Sequence, residues 1–178
     1  MVDNPILFTH KDLVERSKLG DRKKQYELYS LYVEAMLNVS IRIVKIKEDA
    51  EDVVQESFIE AFKNLNKFRF ESTFGSWLKR IVINRSINHL KLKKIPLTII
   101  DEFNYNIPET VEVKNETLEV NKIKKAIKKL PQGYQTIISL YLIEGYDHVE
   151  IGEVLGISVS TSKSQYHRAK KKLAELIS

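Results

Sequence analysis

The chain has 178 residues, with 29 Lys and Arg against 24 Asp and Glu and a formal net charge of +5. Its hydrophobic share of 43% is enough for a folded core and argues against global disorder. Cysteine is absent, which excludes a disulfide framework, a thiolate zinc site and a cysteine nucleophile and fits a reducing cytoplasm.

The opening MVDNPILFTHKD lacks the basic start and long apolar run of a signal peptide. No apolar run approaches the ~18–20 residues of a membrane span, so a cytoplasmic protein with no direct membrane insertion is expected. Thr9 and Asp12 have the spacing of a capping box and predict a short helix to about Leu19. Gly20 interrupts it, and Asp21 is placed to cap the next helix. That helix carries Tyr26, Tyr29, Tyr32, Val33, Met36, Ile43 and Val44, spaced mostly by three or four, the pattern of a core-facing stripe.

The third helix contains DAEDVVQESFIEAF, residues 49–62. Val54, Phe58, Phe62 and Leu65 share one face at helical period. Glu48, Asp49, Glu51 and Asp52 crowd its start, and Gln55 and Glu56 continue the polar face. Acids in a first turn suit the helix dipole, but so dense a patch is unexpected in a basic chain. A fourth helix is predicted from about Thr73 through WLKRIVINRSINHLKLKK.

Residues 95–115 hold Pro96 and Pro108, no sustained period and an acidic bias, with Asp101, Glu102, Glu109 and Glu112 against Lys114. They predict a flexible linker. Helix resumes near Glu116 and runs to Leu130, and Pro131 opens a further helix closed by Gly145. The stretch HVEIGEVLGISVSTSKSQYHRAKKKL then reads as a short helix, a turn at Gly156 and a longer basic helix capped by Ser158 or Ser160. This is the shape of a helix-turn-helix, whose second helix enters the major groove. Lys163, Ser164, His167, Arg168 and Lys171 would meet bases and phosphates, while Ser162, Tyr166, Ala169 and Leu173 would pack inward.

Charge is unevenly distributed. Between Ser72 and Ile100 there is no acid but Lys79, Arg80, Arg85, Lys91, Lys93 and Lys94, and between Val154 and Ala174 none again. Two such stretches suit two contacts with a polyanion, or two solvated helix faces. His10, His89, His148 and His167 form no His-x-x-x-His or carboxylate-paired set, and the six glycines form no phosphate loop. No catalytic residue, metal, cofactor or small-molecule substrate is therefore expected.

DAEDVVQESFIEAF, FRFESTFGSWLKRIVINRSINHLK and LPQGYQTIISLYLIEGYDHVEIGEVLGISVSTSKSQYHRAKKKL resemble, in order, the conserved stretches of bacterial RNA polymerase sigma factors. The small extracytoplasmic-function (ECF) group is the close match, over residues 10–92 and 117–176. The resemblance implies an all-α chain of two small helical domains joined by a flexible linker. A region two helical bundle would occupy residues 1–94, the linker 95–115, and a region four helix-turn-helix 116–178.

By the same resemblance, Asp52, Gln55 and Glu56 match positions that dock on the clamp coiled coil of the largest subunit of core RNA polymerase. Acids suit a face that must bind basic protein and repel phosphates. The loop of Arg69, Phe70, Glu71, Ser72 and Thr73 would hold a flipped base of the melted non-template minus-ten strand, and Lys79, Arg80, Asn84, Arg85 and Asn88 would face that DNA. Flipping a base costs a few kcal/mol, offset by stacking and edge hydrogen bonds. Phe68, Phe74 and Trp77 suit either a single strand or the core, and core packing is the expectation for Trp77. Ser160, Thr161, Lys163, Ser164, His167, Arg168 and Lys171 would read the minus-thirty-five duplex. An anti-sigma factor is an implied partner.

The chain departs from the family pattern at Gly152, where Ala is usual, and in STSKSQY, residues 160–166, where GTVKSRL is common. Ser162 there replaces an apolar residue, Gln165 an Arg, and Tyr166 also differs. The residues alone leave two other classes open: a helix-turn-helix regulator that binds duplex DNA without polymerase, and a helical scaffold with no salt-sensitive DNA affinity.

Overall fold

The computed structural model describes residues 9–93, 95, 97 and 118–177. Among them every regular element is helical: α1 (Lys11–Lys18), α2 (Arg22–Val44), α3 (Lys47–Lys63), α4 (Phe74–Leu92), α5 (Leu118–Lys128), α6 (Gln132–Ile138), α7 (His148–Leu155) and α8 (Val159–Ile177). A 3-10 turn covers Leu65–Lys67 and a π turn Ser139–Ile143. The chain divides after His89 into two compact units. The expected linker, apart from residues 95 and 97, lies outside the described residues, as do the first eight.

In the first unit Asp21 caps α2 as expected, its Oδ1 accepting from the N–H groups of Lys23 at 3.0 Å and Lys24 at 3.2 Å. The capping box expected of Thr9 and Asp12 does not form. The N-cap of α1 is His10, left-handed at φ 62°, and its side chain makes no capping bond. Its Nδ1 instead lies 2.9 Å from the hydroxyl of Tyr32 on α2. A contact 22 residues away thus replaces the local one.

The core stripe of α2 is shifted from its expected place. Met36, Ile43 and Val44 are buried, with Leu28, Val39 and Ser40 beside them. Tyr29 and Tyr32 are half-buried and Tyr26 is 70% exposed. α3 packs on α2 with Ala50, Val53, Val54, Ser57, Phe58 and Ala61 inside, and Tyr29 lies edge-on to Phe58 at 4.8 Å. α4 is joined to α2 by the buried hydroxyl pair Ser40–Ser86, 3.1 Å apart. The fully buried ring of Phe74 meets Tyr32 at 5.2 Å, Trp77 at 5.9 Å and Phe68 at 6.0 Å.

In the second unit the helix opened by Pro131 widens before Gly145. The amide of Glu144 reaches back five residues to the carbonyl of Ser139, and Gly145 then turns at φ 77°. The buried amide of Gln135 donates to the carbonyls of Leu130 at 2.7 Å and Lys128 at 3.1 Å, satisfying the end of α5. α7 begins with a capping box of Asp147 and Glu150, and ends at Gly156 with φ 74°. Ser158 caps α8, accepting from the amide of Thr161 at 3.0 Å. α8 packs against α5, α6 and α7.

A Cβ at Gly75 would lie 2.8 Å from Cε1 of Tyr32, whose ring is held by His10 and Phe74. Overpacking of this kind costs about 1–3 kcal/mol, more than the helix propensity that Ala gains. Gly75→Ala should therefore lower the urea midpoint of helical circular dichroism. An unchanged midpoint would mean that the Tyr32 ring yields freely.

Candidate nucleic-acid interface

The turn Leu65–Lys67 delivers Phe68 to the aromatic cluster, and five residues later Thr73 immediately precedes α4. The Thr73 hydroxyl accepts from the amide of Ser76 at 3.1 Å, capping the helix. Both ends of the 69–73 loop are thus pinned, and its middle turns sharply, with Phe70 left-handed at φ 58°. Beside the loop lies an open cavity of about 520 Å³, lined by Asn66, Lys67, Arg69, Glu71, Ser72 and Trp77, with Phe68 at its back. Trp77 is half-buried, between core and cavity, whereas Phe68 and Phe74 are core. The Phe70 ring packs on Phe68 at 4.8 Å. Asn66 and Lys67 are lining residues that the sequence reading missed, because a 3-10 turn has no periodic signature.

On α4, Arg80, Asn84 and Asn88 recur every four residues and are exposed, while Lys79 is half-buried. Arg85 is placed differently. Its guanidinium donates to Glu56 Oε2 at 2.5 Å and to Glu60 Oε2 at 2.6 Å, both on α3. A residue expected at DNA is thus paired with one expected at polymerase.

Along α3, Asp52, Gln55 and Glu56 are exposed in one row. Asp49 is turned inward, its Oδ2 3.3 Å from Nε2 of His89. The row borders a shallow apolar groove of about 340 Å³ walled by Tyr26, Tyr29, Phe58, Ile59 and Phe62. Ile59, 55% exposed, interrupts the polar face of α3, a break in the pattern that the sequence reading did not use.

On α8, Ser160, Lys163, Ser164, His167, Arg168 and Lys171 are all exposed, and Thr161 is half-buried. Beneath them Ser162 is fully buried, with its Oγ 2.9 Å from Nδ1 of His148. The His148 ring stacks on Tyr141 at 4.7 Å, and Tyr141 meets Tyr166 at 4.4 Å. Burial, and then the neighbouring Tyr141, raise the pKa of the Tyr166 hydroxyl. Among the described residues there is no group of three or more acidic or histidine side chains that could hold a metal, and no helix long and apolar enough to cross a membrane.

Comparison with known proteins places both units. The family model for Sigma-70 region 2 matches residues 28–94, and that for Sigma-70, region 4, matches residues 121–173. The ECF RNA polymerase sigma factor SigW of Bacillus subtilis is 30% identical over 177 residues, covering 92% of this chain and 94% of that protein. The ECF RNA polymerase sigma-E factor of Haemophilus influenzae is 33% identical, covering 95% of each. The chain belongs to the ECF sigma factors. This family directs RNA polymerase to specific promoters, so the alternative of a regulator acting without polymerase is not favoured. Solved structures share the fold: the sigma factor RpoE of Bartonella quintana in complex with the anti-sigma factor NepR aligns with TM-score 0.59 at 22% identity over 85% of this chain and 94% of that one. CnrH in complex with the cytosolic domain of CnrY gives 0.53 at 23% identity over 92% and 94%.

The departures of this sigma factor now have physical settings. A Cβ at Gly152 would lie 2.9 Å from the carbonyl oxygen of Ile157, so the turn after α7 closes tightly on the bare helix. Ser162 is polar because His148 partners it. Gln165 is 4% exposed, and its Oε1 finds no hydrogen-bond partner among the described residues. It therefore belongs to the packing of α8, not to its exposed row. An unpaired buried amide costs about 1–3 kcal/mol. Gln165→Met should raise the stability of the chain by about 1 kcal/mol and leave promoter-DNA affinity of the holoenzyme unchanged. Lost affinity in a fluorescence binding assay would return Gln165 to the DNA contacts.

Proposed function

We propose that this sigma factor divides promoter-specific initiation among three surfaces. Residues 1–94 dock on core polymerase and recognise and melt the minus-ten element, residues 95–115 link, and residues 116–178 recognise the minus-thirty-five element. Docking uses Asp52, Gln55 and Glu56 against the clamp coiled coil of the largest subunit. The melted non-template strand is held by the 69–73 loop with Lys79, Arg80, Asn84, Arg85 and Asn88, and the upstream duplex by Ser160, Thr161, Lys163, Ser164, His167, Arg168 and Lys171. No step makes or breaks a covalent bond, so the chain is not an enzyme and works in the cytoplasm beside polymerase. An anti-sigma factor is a further partner; RpoE of Bartonella quintana was solved with one.

The observation that carries this division is the presence, within one unit, of an exposed acidic row on α3 and a second exposed row, Arg80–Asn84–Asn88, on α4. Acids repel phosphates and attract basic protein, whereas a cation such as Arg80 does the reverse and neutral amides can hydrogen-bond base edges. Like charge keeps each surface from the other's partner.

Run-off transcription with core polymerase tests the whole. Asp52→Lys with Glu56→Lys should weaken core binding at least about tenfold. The fold should survive, because Glu60 still holds Arg85. Undiminished pull-down of core enzyme would remove the docking assignment. On α8, Arg168→Ala should reduce discrimination between upstream elements by about 1–3 kcal/mol. Lys171→Ala should weaken all promoters alike and lower the salt slope by about 1. Unaltered promoter selection by Arg168→Ala across upstream variants would show the recognition row to be wrong.

A further inference from the structure

The 69–73 loop is braced from a helix that none of the assigned surfaces includes. Lys18, the last residue of α1, has a side chain only 18% exposed, so its charge must be satisfied locally. Its Nζ donates to the carbonyl of Phe68 at 3.0 Å and to Glu15 Oε1 at 3.2 Å. It also sits over the ring of Phe70, 4.7 Å from the centroid, and 5.9 Å from that of Phe68. Lys11, at the start of α1, lies 5.9 Å from the Phe70 ring.

These contacts fall where the loop backbone is strained, at Phe70 with φ 58°. A phenylalanine at positive φ persists only where its surroundings hold it. Lys18 grips the peptide before the strained turn through the Phe68 carbonyl, and the strained residue itself through its ring. The turn has a directional consequence. With the Phe70 ring drawn under the ammonium, its neighbours Arg69 and Glu71 are among the residues that wall the cavity, and Phe70 is not. Arg69 and Glu71 are exposed and carry the groups able to hydrogen-bond a base edge.

We propose that Lys18 is a positioning residue for base recognition: by clamping the Phe68 carbonyl and the Phe70 ring it holds Arg69 and Glu71 toward the captured base. The proposal rests on the assignment of the loop as the base pocket. A pocket ordered beforehand loses less entropy on capture and keeps its discriminating groups in register. Lys18 itself touches no DNA.

The test uses holoenzyme and a pool of single-stranded oligonucleotides randomised over the minus-ten positions. Bases enriched by the parent chain define its preference, and competition between matched and mismatched strands gives the ratio. Lys18→Met keeps the apolar stem and removes the charge; it should flatten the preference at one position about tenfold. Lys18→Arg, which can donate to the carbonyl and cover the ring, should keep the ratio within about twofold. Phe70→Leu removes the ring while Lys18 stays, and should lower the ratio as Lys18→Met does. Core-polymerase affinity is measured alongside and should not change. A ratio retained in Lys18→Met, or in Phe70→Leu should Lys18→Met fail to fold, overturns the proposal. Glu71→Ala and Arg69→Ala separate the two layers. If they lower the ratio and the Lys18 variants do not, only the clamp is wrong. If neither they nor the parent show any preference, the pocket assignment fails and takes the clamp with it.

Discussion

The buried ring of Phe74 is the point from which the 69–73 loop and the start of α4 are hung. It meets Tyr32 of α2, Phe68 at the entry of the loop and Trp77 one turn into α4. Each aromatic pair adds about 0.5–1.5 kcal/mol beyond buried area, and the geometry of rings is more specific than that of aliphatic packing. Five residues between two ring anchors cannot collapse into the core or swing away from it. The loop is therefore open enough to form a cavity and short enough to keep its shape. Gly75 belongs to the same constraint, since only a residue without a side chain lets α4 begin so close to Tyr32.

Electrostatics in that unit turns on one cross-helix pairing between α3 and α4. The acids of α3 point outward in one row, and the amides and cations of α4 in another. Arg85 lies next to Asn84 in α4, and Glu56 and Glu60 of α3 hold its guanidinium. Exposed pairs contribute little stability, about 0–1 kcal/mol. Their weight here is orientational: one arginine is held toward α3, and two carboxylates have a fixed counter-charge.

The second unit solves a different problem, a helix-turn-helix whose second helix has a partly polar inner face. Ser162 lies against His148, and the histidine is in turn sandwiched by Tyr141 and edged by Tyr166. This local network supplies hydrogen bonding and ring stacking where the family resemblance led one to expect an apolar residue at position 162. Gln135 performs a related task at the end of α5, where its amide satisfies carbonyls that the helix leaves unpaired. Among the described residues of this unit, Gln165 carries the one buried side-chain oxygen without a hydrogen-bond partner. The close turn at Gly152 and the left-handed Gly156 then bring α8 back against α7 without a spacer.

Much of this was legible in the residues themselves. Asp21, Gly156 and Ser158 act on their own neighbours in the chain, so their caps and turns are local chemistry that sequence states directly. The exposed rows on α3, α4 and α8 follow from helical period, which decides which residues share a face. Period does not decide what covers that face. It could not tell that His10 would reach Tyr32 and displace the cap at Thr9, or that Tyr26 would stay outside while Leu28 took its place in the core. Nor could it tell that Arg85 would turn to α3, that Gln165 would be covered by the packing of α8, or that Phe70 would bend back beneath Lys18. Each of these depends on a neighbour many residues away, or on the opposite side of a packed face, and only the closing of helix on helix brings such groups within reach.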